Sequence, residues 1–140
     1  EVKAHSPKVK TSNIATGDIS ALIGLNGVFE NDGNKKSFKG LLVLSWSEEF
    51  YIKMASKMLM EEYTEYSEEI QDVGAELSNI VMGNAKGVLN PMGYKIEMAS
   101  PSTVRGKQHE VIYPQNTTVI EITITSDMGQ FMMELCYQEV

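Results

Sequence analysis

The chain has 140 residues, of which 42% are hydrophobic and 22% are charged, the proportions of an ordinary globular domain. Its formal net charge of −7 argues against nucleic acid as a partner, because phosphate binding requires a basic surface. No apolar run reaches the ~18 residues of a membrane-spanning helix, and the single cysteine, Cys136, leaves no internal disulfide to form. We therefore expect one domain over residues 1–140, located in the reducing cytoplasm, without a nucleic-acid or membrane partner.

The first part of the chain predicts a β-hairpin after a polar surface lead-in. Residues 1–18 are polar, with one short strand expected around Val9. Two stretches rich in β-formers, 19–29 and 38–46, flank a turn signal at 30–36, whose Asp-Gly and Gly-Asn pairs supply the positive φ angles of tight hairpins. The second strand is apolar on both faces, so a helix, a second sheet or another subunit should cover each face.

Two helices are predicted next. Ser47 is typical of an N-cap for a helix over 48–60, with two glutamates at the positive end of its dipole. The second helix is predicted from about Tyr66 to Asn90, since Pro91 disfavours helix at the residue before it.

The last part of the chain predicts more antiparallel strands. A strand is expected over 94–99, a polar loop over 101–114, and a second hairpin from the alternating stretches 118–125 and 131–137. Strands joined by tight turns are antiparallel. The sequence therefore predicts an α+β fold of two layers, a mainly antiparallel sheet with two helices packed on it.

The second helix has two unlike faces when it is read at about 100° per residue. Its predicted core stripe consists of Val73, Leu77, Ile80, Val81 and Val88, interrupted by Asn84. Another side carries Asp72, Glu76, Asn79 and Gly83, which we call the ledge. Residues three and four apart are neighbours on a helix, so a carboxylate and a carboxamide stand side by side next to a residue without a side chain.

The ledge has a plain alternative explanation, since polar residues on a solvated helix face often have no role. An exposed asparagine in mid-helix is nevertheless a poor local choice, and such choices tend to mark functional sites. Gly83 and Gly87 favour close helix packing. His5 and His109 are expected to be solvated, and Cys136 to be a small buried hydrophobe. The methionines of the first helix favour core, with a partner groove as the alternative.

The segment from Asp72 to Asn84, Asp-Val-Gly-Ala-Glu-Leu-Ser-Asn-Ile-Val-Met-Gly-Asn, resembles the Asp-x-x-x-Glu-x-x-Asn helix signature of the CheC/CheX/FliY phosphatases of bacterial chemotaxis. The order of hairpin, two helices and terminal hairpin is similar to that family as well. A single such motif resembles CheX more than the two-motif CheC. The family helix that usually precedes the first strand is absent or trimmed.

The resemblance implies a phosphatase (a hydrolase) that acts on a phosphorylated response regulator such as CheY, in chemotaxis or another two-component pathway. It implies that Asn79 holds the attacking water and that Glu76 pairs with the regulator's active-site lysine. Asp72 would serve structure or docking, and the small Ala75 and Gly83 would let the regulator approach. The chain would need no metal or cofactor of its own, because Mg²⁺ belongs to the regulator's active site, and it would be a homodimer.

Two other functions stay open at this stage. The first is a non-catalytic adaptor that keeps the fold and binds a signalling protein, which is favoured if Glu76 or Asn79 is buried or paired within the chain. The second is a structural dimerisation domain, with the strands 38–46 and 131–137 as candidate interfaces. The sequence does not identify the regulator.

Overall fold

A computed structural model describes residues 2–10, 17–106, 109–113 and 117–139 of the chain. They form one antiparallel sheet with two α-helices, which confirms the predicted α+β fold. The strands are β1 (Lys3–Ala4), β2 (Lys8–Lys10), β3 (Ile19–Asn31), β4 (Asn34–Trp46), β5 (Tyr94–Met98), β6 (Ser102–Arg105), β7 (Val119–Ser126) and β8 (Gly129–Glu139), and the helices are α1 (Glu48–Leu59) and α2 (Val73–Leu89).

The sheet is built around the long hairpin of β3 and β4. Its strand order is β1-β7-β8-β4-β3-β5, with β2 also pairing with β7 and β6 with β3. The hairpin runs in continuous register from the pair Ile19 and Trp46 to the pair Asn31 and Asn34. Asp32 (φ 51°) and Gly33 (φ 83°) form its two-residue turn. This positive-φ turn is the one that the Asp-Gly pair predicts.

Both faces of β4 are covered within the chain. On one face, Leu44 and Trp46 pack with Phe50, Tyr51 and other residues of the two helices in the main core. On the other face, Val43 packs against Val111 of the segment 109–113. An irregular segment therefore covers the second face, rather than the helix, second sheet or subunit that the sequence suggested.

The first helix agrees with its prediction. Ser47 is the N-cap of α1, and its Oγ accepts a hydrogen bond from the Phe50 N–H at 3.1 Å. The helix ends where Met60 adopts a left-handed conformation (φ 54°). Met54 is buried, as the core prediction expects, and Met60 at the C-cap is 92% exposed. None of the helices in the described part of the chain is long and apolar enough to cross a membrane.

The second helix starts later than predicted. A 3-10 turn spans Glu68–Ile70, and α2 begins only at Val73. Its end is as predicted, because a second 3-10 turn that contains Pro91 follows at Asn90–Met92.

Two segments, the lead-in and the predicted loop, contain more structure than the sequence predicted, although the short strand expected around Val9 is present as β2. The lead-in forms two short strands, and the side chain of Lys10 is only 5% exposed because it pairs with the buried Glu134 at 2.6 Å. The predicted loop 101–114 includes strand β6, while its Lys107 lies outside the described residues. His109 is partly buried, with its ring nitrogens 2.7 Å from the Gly106 carbonyl and 2.6 Å from Ser20 Oγ. The prediction of a solvated His109 was therefore wrong.

Candidate functional site

The ledge lies on the outer side of α2, away from the sheet. Asp72, Glu76, Asn79 and Gly83 are all exposed, and Ala75 beside them is half-buried. At 1.5 Å per residue, Glu76 and Asn79 are separated by about 4.5 Å along the helix axis. The prediction that these groups point away from the core is confirmed, and their roles stay predictions.

Small residues define the buried side of α2. A Cβ added to Gly74 would lie 2.9 Å from Trp46 Cζ3 and 3.0 Å from Tyr51 Cε2, so only glycine allows this close approach. Ser78 is also buried, and its hydroxyl donates to the Gly74 carbonyl at 3.0 Å. Val73 of the predicted stripe is buried, and Leu77 and Val81 pack against the core, as predicted. The buried side also includes Gly74, Ser78 and Met82, which the predicted stripe omits.

Two members of the predicted core stripe are exposed. Ile80 is 48% exposed and Val88 is 67% exposed. At 100° per residue, Ile80 lies next to the ledge, whereas Val88 lies on the side of Val81, close to the end of α2. The prediction failed for Ile80 because Gly74 and Ser78 do not count as apolar in a periodicity pattern, although both are buried.

The glycines of α2's outer side serve no internal packing. A Cβ at Gly83 or at Gly87 would meet no described residue within 4 Å, so the prediction that they permit close helix packing was wrong for the part of the chain that the structure describes. Glycine in mid-helix is about 1 kcal/mol less favourable than alanine. The outer side thus carries a bare stretch of backbone flanked by apolar and polar side chains.

The two central side chains of the ledge are free to meet a partner. Within the described residues, no hydrogen bond or ion pair involves the side chain of Glu76 or Asn79. Asp72 occupies the N-cap position of α2 but makes no side-chain capping bond. The adaptor hypothesis would have been favoured if Glu76 or Asn79 were buried or paired, and within the described residues neither is.

No metal site is formed by the part of the chain that the structure describes, where no three His, Cys, Asp or Glu side chains are grouped closely enough to hold an ion. The segment of chain that leads into α2 is instead rich in exposed acidic side chains. The exposed acids that precede the ledge in the chain are Glu61, Glu62, Glu65, Glu68 and Glu69.

Comparison with known proteins places this geometry in a family. The family model of the chemotaxis phosphatase CheX matches residues 19–125. A chemotactic CheC-like protein from Shewanella oneidensis MR-1 is 33% identical, with a TM-score of 0.80 over 98% of this chain and 84% of that one. A chemotaxis protein CheX from Desulfovibrio desulfuricans is 25% identical, with a TM-score of 0.83 over 99% and 86% of the two chains.

A more distant structure shares the fold. It is the CheX–CheY–BeF3–Mg²⁺ complex from Borrelia burgdorferi, which is 19% identical and has a TM-score of 0.73 over 99% of this chain and 83% of that one. The search of proteins with curated function gives no significant match. Because the family model covers residues 19–125, which include both helices and the whole ledge, this chain belongs to the family of the chemotaxis phosphatase CheX.

Proposed function

We propose that this protein hydrolyses the aspartyl phosphate of a CheY-like response regulator, which docks on the outer side of α2. The observation that carries the proposal is that Glu76 and Asn79 stand exposed, adjacent and unpaired within the described residues. The reaction would take place in the cytoplasm, the compartment that a free, unpaired Cys136 favours.

Glu76 and Asn79 would act by positioning the water and the regulator rather than by forming covalent bonds. Phosphoryl transfer needs little covalent participation from the protein, so orienting the water and placing charge dominate. A carboxamide can accept a hydrogen bond from the water and donate one to the phosphoryl group, which suits Asn79. A carboxylate can pair with a lysine, which suits Glu76. Mg²⁺ would be held by the regulator and not by this chain; the Borrelia burgdorferi structure is a complex of CheX with CheY, BeF3 and Mg²⁺.

The bare backbone at Gly83 and Gly87 supports docking on this side. Each glycine weakens the helix, and no described residue packs against either position to make glycine necessary. A partner whose surface approaches the helix backbone closely would explain why glycine occupies these two positions. Ile80 would then be buried by that partner rather than left in water.

The catalytic roles can be tested with a matched pair of asparagines on α2. Asn79 and Asn84 are both exposed, but only Asn79 belongs to the ledge. Asn79→Ala should slow the decay of radiolabelled phospho-regulator by about 10²–10³-fold relative to wild type, as loss of one aligned polar group does. Asn84→Ala should retain most of the activity, and circular dichroism should show both variants folded.

The result also separates the phosphatase from an adaptor. If wild-type protein binds the regulator but leaves the decay rate of its phosphate unchanged, the chain is an adaptor and the proposal is wrong. Equal losses in Asn79→Ala and Asn84→Ala would remove Asn79 from its proposed role.

We also propose that the chain is a homodimer. The helix-facing side of β8 continues beyond the two helices, where Leu135 is 41% exposed and Tyr137 is 56% exposed. Val9 of β2 lies on the same side of the sheet and is 63% exposed. Of the two candidate interfaces from the sequence, β8 therefore keeps apolar surface for a partner, while β4 is largely covered within the chain. Light scattering at micromolar concentration tests this, and a monomer would contradict it.

A further inference from the structure

Helix α2 begins without a cap from its own segment of chain. The first N–H groups of an α-helix have no partner inside the helix and need an acceptor from elsewhere. Asp72 stands at the N-cap position with helical angles (φ −89°, ψ −1°), and its side chain makes no capping bond. The acceptor comes from α1 instead, because the Gly74 N–H donates to Tyr51 Oη at 2.8 Å.

The same hydroxyl also holds the chain that leads into α2. Tyr51 Oη lies 2.9 Å from the Ile70 carbonyl and 2.9 Å from the Gln71 carbonyl, to which the hydroxyl donates. One buried oxygen therefore joins the end of the 3-10 turn to the first turn of the helix. Tyr51 is 0% exposed, so water does not compete for these bonds.

The ring of Tyr51 is fixed by its neighbours on both sides. Its centroid lies 5.4 Å from that of Trp46 and 5.8 Å from that of Tyr66. The Arg105 guanidinium lies 4.1 Å above the Tyr66 ring and pairs with Glu48 of α1 at 2.5 Å. The hydroxyl is thus held at the start of α2 by aromatic packing that does not depend on the hydrogen bonds themselves.

We propose that Tyr51 is a positioning residue for the phosphatase reaction: its hydroxyl caps α2 from outside and thereby fixes the turns that carry Glu76 and Asn79. The inference rests on the proposed function. Glu76 and Asn79 lie about 3 and 7.5 Å beyond Gly74 along the helix axis. Without the cap, the first turn frays, and a shift of about 1 Å at the reacting groups is enough to lower a rate by up to about 10²-fold.

A pair of tyrosine variants tests the role of this hydroxyl. Tyr51→Phe keeps the ring and removes the cap. Tyr113→Phe is the matched control, since it removes a hydroxyl that donates to the buried Glu134 on the opposite side of the sheet. We expect Tyr51→Phe to lower kcat for phospho-regulator decay by about tenfold with a much smaller change in KM. Tyr113→Phe should leave both constants near wild type.

Hydrogen exchange supplies a readout that does not depend on activity. The Gly74 amide should exchange slowly in wild type and at least about tenfold faster in Tyr51→Phe, because its acceptor is gone. Fast exchange of the Gly74 amide in the wild-type protein would show that the Tyr51 hydroxyl does not cap α2, and this result does not require Tyr51→Phe to fold. An unchanged kcat in folded Tyr51→Phe would overturn the positioning role.

The two proposals fail in different ways. If the wild-type chain does not accelerate phosphate loss, the phosphatase proposal fails, and with it the catalytic part of this inference. If wild type is active and Tyr51→Phe is equally active, only the positioning role of Tyr51 is refuted.

Discussion

Replacing Gly83 with alanine should stabilise the protein and slow its reaction at the same time. A Cβ at this position meets nothing within 4 Å, so the new methyl group has no internal clash to offset its benefit. Alanine is favoured over glycine in a helix interior by about 0.5–1 kcal/mol. For a chain of this length, the melting temperature should rise by about 2–4 °C.

The loss of activity follows from the same methyl group. Gly83 lies one turn beyond Asn79 on the outer side of α2, where the regulator would approach the bare backbone. Adding a methyl group to a packed contact typically costs about 1–3 kcal/mol. We therefore expect kcat/KM for the phospho-regulator to fall by about 5- to 150-fold, although the protein alone is more stable.

Urea unfolding and phospho-regulator decay measure the two effects on the same preparation. Gly87→Ala is the control, because its Cβ also meets nothing within 4 Å but lies a further turn from Asn79. It should gain similar stability and lose less activity. Gly83→Gln extends the test with a larger polar side chain. If Gly83→Ala and Gly83→Gln are both stable and fully active, the regulator does not dock over this end of the ledge.

Three further predictions concern stability, each read from denaturant unfolding. Ser47→Ala should lower the free energy of unfolding by about 1 kcal/mol, because the Phe50 N–H loses its acceptor; an unchanged midpoint would contradict this capping role. Lys10→Met should lower the free energy of unfolding by about 3–5 kcal/mol, since the carboxylate of Glu134 would be left buried without its cation; an unchanged midpoint would contradict the importance of this ion pair. Burial raises the pKa of Tyr51 from 10.0 to about 12, so the folded protein keeps a proton that the unfolded chain loses. The contribution of the Tyr51 proton to the free energy of unfolding should be complete below pH 10 and should fall by about 2–3 kcal/mol as the pH rises to 12. Tyr51→Phe should remove this loss.

The features predicted correctly from the sequence are those set by neighbouring residues. The hairpin turn at Asp32 and Gly33 follows from local φ preferences, and the capping of α1 by Ser47 involves an acceptor and a donor three residues apart. The outward direction of Glu76 and Asn79 follows from helical spacing alone. Each of these predictions needed no knowledge of what the rest of the chain does.

The errors concern residues whose environment comes from distant parts of the chain. The sequence predicts that Lys10 lies in a surface segment, but strand β8 places Glu134, 124 residues later in the chain, within hydrogen-bonding distance of it. The sequence predicts that His109 is a solvated loop residue, but strand β3 places Ser20 within hydrogen-bonding distance of its ring. Gly74 is missing from the predicted core stripe because it has no apolar side chain, yet Trp46 fills the space that a side chain would need. Periodicity does not reveal such partners, because it contains no information about which strand lies under the helix.

The two groups of glycines in α2 show how a local weakness can be assigned to folding or to function. Gly74 is required inside the molecule, since Trp46 and Tyr51 occupy the position of any Cβ. Gly83 and Gly87 have the same intrinsic cost but no described residue within 4 Å of an added Cβ, and Ile80 lies exposed beside them. A helix selected only for the stability of this chain would carry alanine at the open positions and polar residues at the exposed apolar ones. The outer side of α2 therefore has the composition of a surface that is completed by another protein, and the ledge lies within that surface.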